Sequence, residues 1–263
     1  MAKKVNVTVI RTAGTNCNEE TAYAFKYFGA HVTQVHIDAL CKGDVQLNDA
    51  HILALPGGFS YGDDIASGRI LANELRLKLG DQIRFFLEQG KLIIGICNGF
   101  QILVKAGILP GLQMLGAQEA TLYHNDSGKF EARWTHLTVP ESKCVWTKNV
   151  QPQIYLPVAH GEGKFMVDDL GVLEQLKANG QIVFRYRDRD GQSPKYPDNP
   201  NGSIDDIAGI CDPSGRVLGL MPHPERHLLF EQHPFWTRLV RSADLGDGAA
   251  IFANGVDYIR KNL

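Results

Sequence analysis

The fold is decided by residues 92–106, which read LIIGICNGFQILVKA. The first five of these residues are apolar at every position rather than at alternate ones, which is typical of a central parallel strand covered by helices on both faces. A helical stretch, residues 100–106, follows almost at once. A buried strand that runs into a helix is the repeating unit of a parallel sheet, so this stretch predicts an α/β fold.

Strands and helices alternate through the rest of the first half. This alternation, with short connections, predicts a doubly wound, mostly parallel sheet with helices on both faces. The ligand site of such a sheet lies outside the carboxyl ends of its strands, so the loops after the strands matter most. The predicted strands are residues 5–10, 32–37 and 52–55, and predicted helices begin at Asn18 and Gln82 and end near Gly29 and Gly90.

The second half of the chain has more β character. We expect its strands to add an antiparallel portion to the sheet, with the last two strands joined by a turn at residues 212–215. Residues 188–206 are polar and are predicted to form a long loop. An α/β domain can reach 263 residues, so residues 1–263 are predicted to be a single domain. The predicted strands are residues 118–122, 131–139, 153–158, 181–186, 207–211 and 217–221.

Composition excludes several classes of function. With 27 Lys and Arg residues against 29 Asp and Glu residues, the charge favours neither nucleic acid nor an anionic membrane as the partner. No export signal and no apolar run of roughly 20 residues is visible, so we expect a cytoplasmic protein that does not enter the membrane. The five cysteines form no C-x-x-C pair, which argues against a disulfide framework and a zinc site, and no metal is expected.

The segment at residues 95–99, GICNG, has the form of a nucleophile elbow with Cys97 as the nucleophile. Glycines on either side make a sharp turn between strand and helix sterically possible. The N-terminus of the following helix favours the thiolate, which is the reactive form of cysteine. The alternative is a small, buried core cysteine, and the flanking glycines disfavour it.

A second glycine-rich loop follows the predicted strand at residues 52–55. Gly57 and Gly58 let the backbone approach a substrate and direct N–H groups at it, which would form half of an oxyanion hole. The other donor would be the backbone N–H of Asn98, directly after the nucleophile. Taken alone, this Pro-Gly-Gly segment is also compatible with an ordinary turn.

His223 and Glu225 are the candidate base and its orienting acid. Pro224 disfavours the helical conformation at His223, so the tripeptide is predicted to be extended, with both side chains on one side. Glu225 would then hold the imidazole while His223 exchanges protons with Cys97. His160 and Glu162 are a competing pair that ranks lower because Gly161 between them fixes no geometry, and His160 is equally compatible with a structural role.

Three segments together resemble the class I, Cys-His-Glu glutamine amidotransferase family. They are PGGFSYGD at residues 56–63, GICNGFQ at 95–101 and HPER at 223–226. Three more, GTNCNEET at 14–21, AHGEG at 159–163 and NPNGS at 199–203, resemble more narrowly the glutaminase subunits of phosphoribosylformylglycinamidine synthase. The resemblance runs from about residue 11 to residue 226. Departures are Thr12-Ala13, where this family more usually has a proline, and longer segments at 123–150 and 186–198.

The resemblance implies that Cys97, His223 and Glu225 hydrolyse glutamine through a cysteinyl thioester. It also implies a partner synthetase, with a small accessory subunit, that uses the ammonia to convert formylglycinamide ribonucleotide to formylglycinamidine ribonucleotide in purine biosynthesis. No Gly-x-x-x-x-Gly-Lys loop is found, so we expect no cofactor in this chain and place ATP and magnesium in the partner. The substrate-binding residues implied by the resemblance are Gly57, Gly58, Phe59, Asn98 and Gln101.

Three alternatives stay open at this point. The chain could be a class I glutaminase that serves another synthetase, a stand-alone cysteine hydrolase on the same fold, or a non-catalytic regulatory module. The presence of all three triad residues argues against the last. We also expect residues 188–206 and the turn at His160 to contact the partner, because they carry polar groups without a part in the triad.

Overall fold

A computed structural model describes residues 3–113, 116–240 and 243–263. The α-helices in these ranges are α1 (Asn18–Tyr27), α2 (Ile37–Lys42), α3 (Arg69–Lys78), α4 (Gly80–Glu88), α5 (Asn98–Lys105), α6 (Leu170–Ala178) and α7 (Ala249–Asn262). The strands are β1 (Asn6–Arg11), β2 (His31–His36), β3 (Ile52–Leu55), β4 (Leu92–Ile96), β5 (Ala120–Tyr123), β6 (Glu131–Thr138), β7 (Gln153–His160), β8 (Lys164–Val167), β9 (Ile182–Arg187), β10 (Ile207–Cys211) and β11 (Val217–Leu220). No helix in the described ranges has both the length and the apolar character needed to cross a bilayer.

Nine strands form one large sheet in the order β2-β1-β3-β4-β11-β10-β9-β6-β7. Strands β2, β1, β3, β4 and β11 are parallel neighbours, and the sheet continues through antiparallel pairs from β11 to β7. The predicted α/β class, with a parallel sheet and an added antiparallel portion, is confirmed. Strands β5 and β8 form a separate two-stranded antiparallel sheet.

The central strands carry the core and also position the loops that follow them. Every residue of β3, β4 and β11 is buried, as expected for strands covered on both faces. Their registers pair Leu55 with Gly95 and Leu220 with Ile96, so the three strands end at nearly the same level. The residues after them therefore meet at one edge of the sheet.

The observed helices and strands differ from the predicted ones in two respects. The strand predicted at residues 118–122 belongs to the small sheet, as β5, because it pairs with β8 and not with the main sheet. Strand β8 and helices α2, α3, α6 and α7 lie outside the predicted elements. Helix α7 packs on the core through Ile251, Phe252 and Val256, and the edge-to-face contact of Phe252 with Phe25 links it to α1.

Candidate active site

Cys97 occupies the sharp turn between β4 and α5. Its φ of 52° and ψ of −106° are strained for a residue with a side chain. The backbone N–H of Cys97 donates to Leu220 O at 2.8 Å, which ties the turn to β11. A Cβ at Gly99 would lie 1.9 Å from Leu55 O, so only glycine lets α5 begin this close to β3. The predicted strand, turn and helix of a nucleophile elbow are therefore present.

Gly58 lies in a second strained turn beside the elbow. Its φ is +141°, and a Cβ there would come within 2.7 Å of both Asn16 N and Gly14 O. The loop before α1 pairs with this turn, since Phe59 N donates to Gly14 O at 2.8 Å and Asn16 N donates to Gly57 O at 3.4 Å. The N–H of Gly58 has no acceptor among the described residues and is available to a ligand.

His223 and Glu225 form a buried pair. The distance from His223 Nδ1 to Glu225 Oε1 is 2.5 Å, and the residues are 1% and 2% exposed. Burial acts to lower the pKa of His223, but the carboxylate of Glu225 and the sulfur of Cys97 outweigh it and raise that pKa well above its ordinary value. His223 Nε2 is buried and has no partner among the described residues.

The backbone that brings Glu225 to His223 differs from the prediction. His223 is extended, with φ of −104° and ψ of 91°, as expected before a proline. Pro224–Arg226 then forms a 3-10 turn instead of continuing in extended form. The predicted extended tripeptide is therefore wrong beyond His223. The carboxylate reaches the imidazole because the turn folds it back, not because alternate residues of a strand face the same way.

A cavity of about 450 Å³ opens beside Cys97, a size that suits a small-molecule site. Gln101 lies in its wall, with both ends of its amide engaged: Oε1 accepts from Asn98 Nδ2 at 2.9 Å and Nε2 donates to Glu162 O at 2.5 Å. Gln101 therefore shapes the cavity by holding Glu162. The lining residues are Gly58, Phe59, Asp63, Ser67, Cys97, Gln101, His124, Gly128, Lys129, Phe130, Ala159, His160, Gly161 and Glu162.

Two acidic side chains at this cavity, Asp63 and Glu162, were not predicted to bind substrate, and Glu162 was considered only as the partner of His160. Asp63 accepts from Ser67 Oγ at 3.0 Å and from Asn98 Nδ2 at 3.3 Å, and burial raises its pKa. Glu162 Oε2 lies 3.7 Å from Lys105 Nζ and accepts from Ser67 N at 3.3 Å. Two carboxylates and the buried ammonium of Lys105 therefore lie close together here, and the exposed Lys129 lies in the same cavity wall. Their place after β3 and β7, at the edge where the elbow lies, is the signal that could have found them.

His160 serves the architecture of the cavity. Its Nδ1 lies 3.1 Å from Asn125 Oδ1 and its Nε2 lies 3.5 Å from Asn201 Nδ2. Burial, with the neighbouring His223 charge, lowers the pKa of His160 to about 3, so the ring is neutral. Glu162 is engaged with Ser67 and Lys105 instead, so the competing His160–Glu162 pair is not formed.

The polar loop at residues 188–206 is divided between surface and interior. Asn201 and Ser203 are 0% and 4% exposed, and Ser203 Oγ accepts from Phe165 N at 2.9 Å. The end of this loop and the His160 side chain therefore face inward, contrary to the expectation that they contact a partner. Most residues from 189 to 197 are exposed and stay candidates for such contact.

A second cavity, of about 270 Å³, adjoins Cys97 on the side of His223. Cys17, from the loop between β1 and α1, lies in its wall. Arg226 Nη2 donates to Cys17 Sγ at 3.0 Å, and the thiol donates to Asn16 Oδ1 at 3.2 Å. No chemical role was predicted for Cys17, although it follows a parallel strand at the edge of the sheet that carries the site.

Comparisons with known proteins agree with this geometry. The model of the CobB/CobQ-like glutamine amidotransferase domain matches residues 4–259. The phosphoribosylformylglycinamidine synthase subunit PurQ of Dehalococcoides mccartyi is 51% identical over 260 residues, covering 98% of this chain and 99% of that protein. PurQ of Methanococcus maripaludis is 43% identical over 268 residues, covering 97% of each.

Among solved structures, a chain of PurLQS from Thermotoga maritima superposes with a TM-score of 0.74 at 31% identity, covering 98% of this chain and 100% of that one. A glutamine amidotransferase from the same organism has a TM-score of 0.55 at 16% identity, which shows the fold alone. The resemblance in the motifs thus extends to the whole sequence and to the fold. The chain belongs to the CobB/CobQ-like glutamine amidotransferase domain family and, within it, to the PurQ family.

Proposed function

We propose that this chain is a glutaminase that hydrolyses glutamine to glutamate and ammonia at Cys97. The observation that carries the proposal is the convergence of the Cys97 elbow with the buried His223–Glu225 pair. Cys97 and His223 line the same cavity, and Cys97 also lines the larger, adjoining one. The nucleophile therefore has a proton carrier on one side and room for a substrate on the other.

In the first half of the reaction, the sulfur of Cys97 attacks the side-chain carbonyl carbon of glutamine. The electrons that move onto the carbonyl oxygen are stabilised by the N–H groups of Gly58 and Asn98. His223, held by Glu225, gives a proton to the amide nitrogen, and the C–N bond breaks to release ammonia. A glutamyl thioester remains on Cys97.

In the second half, water attacks the thioester while His223 removes its proton. The C–S bond breaks, glutamate leaves and Cys97 is restored. The raised pKa of His223 suits the first half, because a protonated imidazole is needed next to the thiolate before the amide nitrogen departs. Glu225 stabilises that charged form from the opposite ring nitrogen. Once His223 has given up that proton, the neutral ring is a strong base for the water in the second half.

The carboxylates of Asp63 and Glu162 lie in the wall of the large cavity. In this proposal the α-ammonium group of glutamine binds beside them, where opposite charges stabilise it. Phe59 and Gln101 complete the wall of the substrate site in this proposal. Gly57 lies outside that wall, beside Cys17 and His223.

The ammonia is passed to a synthetase partner. Ammonia released into water at neutral pH becomes ammonium and is lost as a nucleophile, so a sheltered transfer is needed. Since the relatives named above are subunits of phosphoribosylformylglycinamidine synthase, we propose that the partner converts formylglycinamide ribonucleotide to formylglycinamidine ribonucleotide in purine biosynthesis, with a small accessory subunit. ATP and magnesium bind to the partner, and the assembly is cytoplasmic, where free thiols such as the five found here persist.

We further propose that docking of the partner tightens the turn at Gly58. This turn is held by its pairing with the loop before α1, so a small shift of that loop changes where the Gly58 N–H points. The exposed residues 189–197 are the part of the polar loop that remains for contact with the synthetase. Glutamine hydrolysis by the free chain should then be slow and should accelerate with synthetase, ribonucleotide and ATP. Equal rates in the two conditions would refute this control but leave the catalytic assignment intact.

The experiment that tests the function is Cys97→Ala in the complete complex. Glutamine-dependent product formation should be lost, while ammonia-dependent formation should stay at the parental rate because only the source of ammonia is removed. Cys41→Ser, which changes a thiol on α2 away from the site, is the control and should keep both activities. Glutamine-dependent turnover by Cys97→Ala would overturn the proposal.

A further inference from the structure

Cys17 contacts both of the turns on which the proposed hydrolysis depends. It is the last residue before α1, and its backbone N–H donates to Gly57 O at 3.2 Å, in the turn that carries the oxyanion donor. Its sulfur accepts from Arg226 Nη2 at 3.0 Å, in the turn that follows His223 and contains Glu225. A single buried residue, 1% exposed, thus links the two turns.

We propose that Cys17 is a positioning residue: by accepting from Arg226, its sulfur sets where the His223–Glu225 pair lies relative to the turn at Gly57. Cys17 lines the small cavity and not the large one in which the substrate is proposed to bind. It therefore acts through Arg226 and not on the substrate. This inference rests on the proposed glutamine hydrolysis and adds a residue that the mechanism above does not use.

The sulfur of Cys17 lies close to the pair that it positions. Cys17 Sγ, a ring nitrogen of His223 and a carboxylate oxygen of Glu225 all lie within 4.8 Å of one another. A Cβ built on Gly57 would lie 3.2 Å from Cys17 Sγ and 2.7 Å from His223 Cε1, so the sulfur and the ring flank the same glycine. Closely packed interiors transmit small displacements, so a change at the sulfur reaches the ring.

Arg226 connects the sulfur to the catalytic pair through the backbone. It directly follows Glu225 in the 3-10 turn, and its N–H donates to His223 O at 3.3 Å. The thiol of Cys17 donates to Asn16 Oδ1 at 3.2 Å, which leaves the sulfur lone pairs to accept from the guanidinium. A hydrogen bond with an ionised donor is stronger than one between neutral groups, so this contact holds the turn in place.

The relative position of the two turns controls the chemical step. In the proposed reaction, His223 must reach the amide nitrogen while the N–H of Gly58 reaches the carbonyl oxygen of the same substrate. Misplacement of a reacting group by about 1 Å can lower the rate by about 100-fold. Loss of the acceptor at Cys17 should therefore lower kcat. KM should stay at the parental value, because Cys17 lies outside the wall of the large cavity.

The test compares Cys17→Ser with Cys17→Ala in the complete complex, with glutamine as the source of ammonia. The two variants have side chains of similar volume, but only serine has a hydroxyl that can accept from Arg226 and donate to Asn16. Cys17→Ala should lower kcat by about 10-fold or more without a change in KM, and Cys17→Ser should restore most of that loss. Ammonia-dependent synthesis at the parental rate shows that each complex has assembled.

Cys144 provides the matched control. It is also buried, at 2% exposed, and it lies against the turn before β11, where a Cβ on Gly215 would come within 3.1 Å of Cys144 Cα. Cys144→Ser and Cys144→Ala should both keep the parental kcat, even if both lower the free energy of unfolding. The control therefore separates the loss of a buried thiol from the loss of the contact with Arg226.

A double variant tests whether Cys17 acts through Arg226. Once Arg226→Gln has removed the guanidinium, adding Cys17→Ala should lower kcat little further, because residues that share one interaction do not have additive effects. Fully independent losses in the double variant would overturn the proposal. Equal kcat values in Cys17→Ser and Cys17→Ala would overturn it as well, since the loss would then reflect volume alone. A parent complex that hydrolyses glutamine no faster than Cys97→Ala would instead contradict the proposed function.

Discussion

His223 Nδ1 and Glu225 Oε1 lie 2.5 Å apart with both side chains buried. A hydrogen bond between a carboxylate and a protonated ring is strong where water is excluded. It fixes the ring in the wall of the cavity that His223 shares with Cys97. The pair therefore supplies a proton carrier of defined orientation.

Replacing His223 and replacing Glu225 should lower glutamine-dependent turnover by different amounts. His223→Ala removes the proton carrier and should lower glutamine-dependent turnover by about 1000-fold, within the range for general acid–base catalysis. Glu225→Gln keeps the ring and should cost less, since only its orientation and charge are affected. Rates of thioester formation, measured in single-turnover experiments, show which of the two substitutions lowers activity more. Near-parental turnover in His223→Ala would show that another base acts.

Substitution of Gly58 should lower kcat by more than the strain of its positive φ alone explains. Gly58→Ala places a methyl group against Asn16 N and Gly14 O, so the turn must move and its N–H no longer meets the oxyanion. Loss of one such donor lowers kcat by about 100- to 1000-fold.

The matched control for this turn is Gly180→Ala. Gly180 also has a positive φ, +63°, but no atom lies within 4 Å of an added Cβ. The kcat of Gly180→Ala should equal the parental value. This variant introduces only backbone strain, so it separates the effect of strain from the effect of displacing the turn. If both variants lost activity alike, the loss would reflect strain and the oxyanion assignment would be wrong.

Glu162→Gln should reduce the preference of the enzyme for a substrate that carries an α-ammonium group over one that lacks it. The comparison is kcat/KM for glutamine against glutaramate, which lacks that group. The parental preference for glutamine should shrink by about 10-fold or more, in line with about 1.4 kcal/mol or more for a hydrogen bond to a charged group. Glu174→Gln, on the exposed face of α6, is the control. An unchanged preference would place the ammonium elsewhere in the cavity.

His160 should make folding stability depend on pH. Its pKa is about 3 in the folded chain against an ordinary value of 6.5, so the unfolded chain binds the extra proton. The stabilisation is complete above pH 6.5 and is lost as pH falls from 6.5 towards 3. Acidification from about pH 7.5 to about pH 5.5 should therefore lower the free energy of unfolding by about 1.4 kcal/mol through this group.

Urea unfolding of the parent and of His160→Gln at the two pH values measures this difference. The variant should lose less stability on acidification than the parent, by about that amount. His31→Gln, at an exposed position, should behave as the parent does. Identical pH dependence in the parent and His160→Gln would mean that the imidazole accepts a proton in the folded state.

Local sequence was sufficient to predict the elbow and the sheet that carries it. An unbroken apolar strand between short loops can only be buried, and glycines at positions 95 and 99 allow the sharp turn at Cys97. The alternation of elements then predicted the parallel sheet, and the end of each strand indicated where Gly57, Gly58 and His223 would meet. These features depend on neighbours along the chain, and sequence reasoning can reach them.

Tertiary structure decided everything that depends on distant residues. The neutral state of His160 and the meeting of Asp63 and Glu162 in one cavity wall follow from packing between separate loops. The burial of the His223–Glu225 pair likewise depends on the fold around it. Cys17 shows this most clearly, because its sulfur meets Arg226 across more than 200 positions of sequence separation. Sequence determined which backbone turns are sterically allowed, whereas burial, pairing and charge at the site depend on which loops the folded sheet brings together.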